Sequence, residues 1–195
     1  MLHLHIGADW ITALSTLCTV VVIGATAFAA LVQLRHLRAA NQLDALLSLE
    51  RDFRATELQE ALRYVQEELP KNLEDPVYRD ELARLGYIDP QKHPELTLCN
   101  WFNAMGALLK YQLVSESTFM DLFGRLIAYY WKVLAPAVAV MRRKRGDSQY
   151  HDFEYLAIRA NEWLRAHPHG HFPAGSQRLA PQDPWLQADT RSSLS

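Results

Sequence analysis

The stretch "YHDFEYLA" places His151, Asp152 and Glu154 within about one helical turn. An imidazole beside carboxylates is the equipment of general acid–base catalysis, so a hydrolase using Glu154 with His151 or Asp152 is one reading of this chain. A second group is "HPHGH", in which His167, His169 and His171 offer imidazoles to a divalent metal. Pro168 and Gly170 between them give neither a rigid scaffold nor a second shell, so this segment reads as solvated tail and no metal is expected. His3 and His5 supply only two ligands, too few for a site.

Arg142, Arg143, Lys144 and Arg145 form the one basic cluster. Such a run can complement the dipole of a helix C-terminus, touch an anionic membrane surface or a partner, or contact nucleic acid. A net charge of −2 gives no global attraction for nucleic acid, and none is expected as a partner. Glu154 and Asp121 lie among apolar neighbours, and Arg125, Lys132 or Arg142 are at hand to pair with them, the commoner role of such carboxylates.

Phosphate loops, dinucleotide fingerprints, H-E-x-x-H pairs and nucleophile elbows are all missing. No cofactor is expected and no residue is assigned a catalytic role. Cys18 and Cys99, the only cysteines, do not make a disulfide framework.

The elements that must position these groups read as helix throughout. From Trp10 to Leu34 no Asp, Glu, Lys, Arg or His occurs, a run of 25 residues. As a helix it spans roughly 37 Å against a hydrocarbon core of roughly 30 Å. Asp9 is placed to cap its start, and Arg35, His36 and Arg38 mark its polar end. Ala27-Phe28-Ala29 resembles a signal-peptidase site, but no Lys or Arg precedes the run and apolar residues continue to Leu34, so a retained anchor is expected. Arg35, Arg38, Arg51 and Arg54 after the run predict a cytoplasmic C-terminal side and an outside N-terminus.

Beyond the anchor, Leu43, Leu46, Leu47, Glu50 and Phe53 mark one face of a stalk, with a break near Arg54. A dimerising coiled coil would use such a stalk. Glu50 interrupts its few heptads, so packing within its own domain is the expectation. Asp75-Pro76 and Gly86 bound a short helix, and "PELTLCNWFNAMGALLKYQLV" carries Leu96, Cys99, Phe102, Met105, Leu109 and Leu113 on one apolar face. Ser115 or Ser117 caps a long helix bearing Phe119, Leu122, Phe123, Leu126, Tyr130, Val133, Leu134, Ala137 and Met141, with Pro136 inside it. Asp121, Arg125 and Lys132 argue against a second membrane span there. The turn Gly146-Asp147-Ser148 then makes the last helix an antiparallel neighbour, so Trp131, Leu134 and Phe153 are expected in one core cluster.

Three stretches together, "NWFNAMGALLKYQLVSESTF", "LIAYYWKVLAPAVAVMRRKR" and "YHDFEYLA", resemble in order and spacing the bacterial membrane-anchored helical proteins of the domain-of-unknown-function family 4760. The resemblance covers roughly residues 10–165 and implies a helical fold and this topology without an activity. That family's pattern has an acidic residue where Asn103 stands, a departure that weakens an acid–base role for the position.

The expectation is therefore an all-α protein with an outside N-terminus (1–9), a transmembrane helix (10–34), a cytoplasmic helical bundle (35–165) and a flexible tail (166–195). It sits in the inner membrane with lipid around residues 10–34, holds a protein partner through the bundle and can form a homo-oligomer. The alternatives are the tethered hydrolase and an effector that disturbs membranes, in defence or competition, through residues 119–141.

Overall fold

The computed structural model describes residues 2–179 and 181–185. Among them there is no strand, and the fold is all-α. Seven helices follow in order: α1 (Leu2–Phe53), α2 (Thr56–Glu67), α3 (Leu69–Asn72), α4 (Pro76–Ala83), α5 (Glu95–Lys110), α6 (Glu116–Arg145) and α7 (His151–Ala166). The antiparallel pair α6 and α7 packs with α5 to form the centre, α4 lies on α6, and α2 covers α5.

Helix α1 starts at Leu2, so Asp9 lies inside it and not at its start. No proline interrupts "LHLHIGADW", and apolar residues carry the helix back through it. Within α1, Ala13–Phe53 is long and apolar enough to cross a membrane, and its apolar part is exposed throughout. The side chains of His3, His5, Asp9 and Arg38 lie outside the described ones.

The stalk end of α1 turns a different face inward from the one expected. Ala45, Leu46, Leu49 and Phe53 pack on the bundle, whereas Leu43 and Leu47 are exposed. Phe53 packs on Trp101 of α5, with ring centroids 5.6 Å apart. The break falls at Arg54 and Ala55, as the sequence indicates.

Asp75 caps α4 by accepting from the Val77 N–H at 2.8 Å, with Pro76 in the first turn. Helix α5 stops at Lys110, one turn short of the expected end, and leaves Leu113 outside and exposed. Gln112 adopts a left-handed conformation (φ 55°). Its N–H reaches the Leu109 carbonyl at 2.9 Å and the Leu113 N–H reaches that of Leu108 at 2.9 Å, a Schellman closure without the usual glycine. Ser115 precedes α6 but bonds Ser117 and Thr118 side chains, not the helix N–H groups.

Helix α6 runs on through Pro136, burying Phe119, Ile127, Tyr130, Leu134, Ala137 and Met141 while Asp121, Leu122, Arg125 and Lys132 face out. Phe153 stacks flat on Phe102, centroids 4.7 Å apart, and the half-buried Trp131 stands edge-on to Phe153 at 4.9 Å. Leu134 is fully buried in the same core, and Arg143 is exposed. Leu134→Ala should therefore cost about 3 kcal/mol. Arg143→Ala should stay within about 0.5 kcal/mol. Thermal melts of the two variants check the contrast, and equal small shifts would mean that Leu134 does not pack as described.

Residues after Ala166 have no regular structure among those described. The first of them is not simply solvated: His167 is half-buried and stacks on Trp163 at 4.0 Å, and His171 packs on both rings. Residues 186–195 of the expected tail lie outside the described residues.

Candidate functional site

A hydrogen-bonded chain of polar side chains, half-buried at Tyr64, Asn72 and Tyr78 and buried at His93 and Glu95, runs through α2 to α5. Asn72 Nδ2 donates to Tyr64 Oη at 2.8 Å, and Tyr64 and Tyr78 hydroxyls lie 2.9 Å apart. Tyr78 donates to Glu95 Oε1 at 2.6 Å, so its oxygen is left to accept from Tyr64. His93 Nδ1 lies 3.0 Å from the same carboxylate oxygen, and the Tyr78 ring packs on the imidazole at 4.6 Å. Glu95 is 0% exposed and opens α5, where free N–H groups favour a carboxylate. Its Oε2 and His93 Nε2 have no hydrogen-bond partner.

The ionisable groups around this pair carry its imprint. Burial, and then Glu95, push the Tyr78 hydroxyl far above the ordinary tyrosine range, and the same two causes raise the Cys99 thiol one turn along α5. Burial is also the first cause that raises Tyr64, Tyr130 and Tyr150. Each of these groups folds in its neutral form, with a pKa above the 9.0 or 10.0 of the unfolded chain. The native state therefore holds more protons than the unfolded state once pH exceeds about 9, and stability falls as pH rises from there. Denaturant midpoints that decline steadily above about pH 9 are the expected result. A midpoint unchanged to pH 11 would contradict this burial.

Outside Tyr64 lies a cleft of about 410 Å³ lined by Glu57, Glu60, Arg63, Glu68, Gln91 and Thr97 among others. Tyr64 is the member of the chain that borders it, whereas Glu95 and His93 are sealed behind. The sequence reading passed over this network. Its local trace is "HPE" at 93–95 before an apolar helix, and the tyrosines come from two other helices.

Arg142 donates to Glu154 at 2.7 Å and to the Gln149 carbonyl at 3.0 Å. Lys144 meets Asp80 at 3.0 Å, and Arg145 donates to the Arg84 carbonyl at 2.6 Å. Three of the four cations thus tie the end of α6 to α7, α4 and the segment after α4. Glu154 turns toward α6, while Asp152 turns to Lys110 of α5 at 3.0 Å, with His151 Nε2 3.2 Å from Asp152. The bond to Asp152 is the first cause that raises the Lys110 pKa. Asn103 of α5 accepts from the Phe153 N–H at 3.3 Å, serving the N-terminus of α7 where Tyr150 has no capping side chain. A carboxylate at that position would accept the same bond, which is a structural use for the residue type. His167 Nδ1 lies 3.0 Å from the Trp163 carbonyl, and among the described residues no three His, Cys, Asp or Glu side chains gather as a metal site.

A second concavity, about 530 Å³, lies between α3 and α6 and is lined by Pro70, Leu73, Glu74, Tyr129, Lys132, Val133 and Pro136. Its floor is apolar, with Lys132 and Glu74 as its charged members. Pro136 has no N–H, so the Lys132 carbonyl in this stretch lacks its usual helical donor.

Over residues 20–160 the sequence matches the family described as Domain of unknown function (DUF4760). The chain belongs to the DUF4760 family. The DUF4760 region takes in the second half of the apolar run, the whole bundle up to Ala160, the Tyr–Glu–His chain and both concavities. No curated protein and no solved structure matches the chain.

Proposed function

We propose that this DUF4760 protein is a single-span protein of the bacterial inner membrane, with its N-terminus outside and a cytoplasmic helical bundle that binds a protein partner. The observation that carries the partner-binding reading is the groove between α3 and α6. Two prolines, a leucine, a valine and a tyrosine make an apolar floor, and Lys132 and Glu74 supply one charge of each sign. Such a groove suits an apolar anchor side chain of a partner protein with polar groups at its flanks. The ionisable groups favour binding over catalysis. Glu154 and Asp152 are held by Arg142 and Lys110, and Glu95 and His93 have no surface. Anchoring rests on the exposed apolar length of α1, and orientation on Arg35, Arg38, Arg51 and Arg54 following the apolar run where none precedes it.

A photoreactive side chain at Tyr129 should capture one defined protein in intact cells, and Lys132→Glu, at an exposed position of the lining, should abolish that adduct while leaving the melt of the bundle in place. The same probe at the exposed Ile158 of α7, which does not line the groove, should not capture it. Equal capture at both positions, or none at Tyr129, would overturn the assignment. A reporter joined after Ser195 should be active only in the cytoplasm, and activity on the outer side would reverse the orientation.

A further inference from the structure

Three imidazoles follow α7, beyond residues 20–160 of the family match, and two of them are already together. The ring centroids of His167 and His171 lie 5.2 Å apart with their planes at 83°, and both rings pack on Trp163, at 4.0 and 5.6 Å. Trp163 is in turn packed against the core. A turn from His167 to Gly170 brings His171 back onto the indole. The Gly170 N–H closes it on the His167 carbonyl at 3.0 Å, with Gly170 at φ 84°. His169 is the third residue of that turn and is exposed.

We infer that His167, His169 and His171 form a binding site for a divalent transition-metal ion such as zinc, which clips the segment after α7 onto Trp163. Read as sequence, "HPHGH" has neither a scaffold nor a second shell. The fold supplies both through one residue. The Trp163 ring is the platform on which His167 and His171 rest, and its carbonyl oxygen lies 3.0 Å from His167 Nδ1. A carbonyl can only accept, so Nδ1 carries the hydrogen and Nε2 of the neutral ring keeps its lone pair. One nitrogen fixed on a backbone carbonyl and the other left to a metal is the arrangement in which histidine ligates. Neither His169 nor His171 has a hydrogen-bond partner among the described residues, so nothing competes for their lone pairs. Two imidazoles bound to one tetrahedral ion at about 2.0 to 2.1 Å have ring centroids roughly 5 Å apart. His167 and His171 already hold that spacing. His169 turns onto the ion as the third ligand, and water takes the fourth position. Because the donors are imidazole nitrogens, zinc, nickel and copper are favoured over magnesium and calcium, which take oxygen.

Zinc titrated into the full-length protein in detergent, in competition with a chromophoric chelator, tests the site. One ion per chain is expected. His167→Gln and His171→Gln should each weaken binding about tenfold or more, and His169→Gln should weaken it as well. Replacing His3 and His5 together by Gln should leave the affinity unchanged, and excess magnesium should not compete. Copper(II) in place of zinc should quench a share of the tryptophan emission that is absent from Trp163→Phe, because that indole touches both rings. His171 lies outside every helix, so a loss of binding in His171→Gln is not a loss of folding, and the helical circular dichroism of each variant checks this. Zinc affinity indifferent to any one of the three substitutions, zinc affinity lost with His3 and His5, or copper quenching undiminished in Trp163→Phe overturns the site.

Discussion

Gly106→Ala is expected to cost the bundle about 3 kcal/mol or more, a large share of the roughly 5 to 15 kcal/mol that holds an ordinary domain folded. Gly106 sits in the middle of α5, where glycine itself sacrifices about 1 kcal/mol of helix propensity relative to alanine. The reason for accepting that loss is the approach of α7. A Cβ at this position would lie 2.0 Å from the Asp152 carbonyl oxygen and 2.5 Å from its carbon. Both are backbone atoms at the start of α7 and cannot rotate away. Relief requires α7 to move off α5, which separates the Phe102–Phe153 stack and strips Asn103 from the Phe153 N–H. Gly124 in α6 is the control. Its added Cβ would meet the Trp163 ring at 3.7 Å, an ordinary contact, so Gly124→Ala should be neutral or gain a few tenths of a kcal/mol. Thermal melts of both variants of the full chain in detergent decide the matter, and similar behaviour of the two would mean that α5 and α7 are not in this contact.

Glu95→Ala is expected to cost about 3 to 5 kcal/mol, because it strands the Tyr78 hydroxyl and His93 Nδ1 in the interior together. Tyr78→Phe, which removes one hydroxyl and leaves His93 its acceptor, should cost about 1 to 2 kcal/mol. The ordering is the informative part. Equilibrium unfolding in urea should rank Glu95→Ala well below Tyr78→Phe, and Glu95→Ala with a near-native midpoint would mean that the carboxylate does not hold α2, α3, α4 and α5 together as these distances indicate.

Much of the helix pattern was readable without coordinates because its causes are local. A residue's neighbours along the chain decide whether Asp75-Pro76 can start a helix, whether an apolar stripe recurs from Leu96 to Leu109, and whether Gly146 can end α6 with φ near 82°. The end of α5 was misplaced for a related reason. A left-handed cap at Gln112 carries no glycine, and the two hydrogen bonds that stabilise it are visible only once the chain has turned. The start of α1 was misplaced because Asp9 has the chemistry of a cap, and cap chemistry does not stop a helix when the residues before it can also be helical.

The sequence by itself determined the exposed apolar run, the all-α class, the antiparallel return of α7 on α6 and the amphipathic faces of the long helices, all of which follow from composition and period. Tertiary structure decided which leucines of the stalk lie inside, which partner each cation of the 142–145 cluster takes, and that Glu95 and His93 are sealed within a chain of tyrosines. Leu46 and Leu47 are equally apolar, and only the packing of α1 on the bundle, with Phe53 against Trp101 of α5, decides which of them lies inside. Arg142 and Arg143 are equally basic, and only the arrival of Glu154 from α7 distinguishes them. Local sequence sets the periodicity of a helix, but its rotation about its own axis is fixed by long-range packing, and that rotation assigns each side chain to core, ion pair or water.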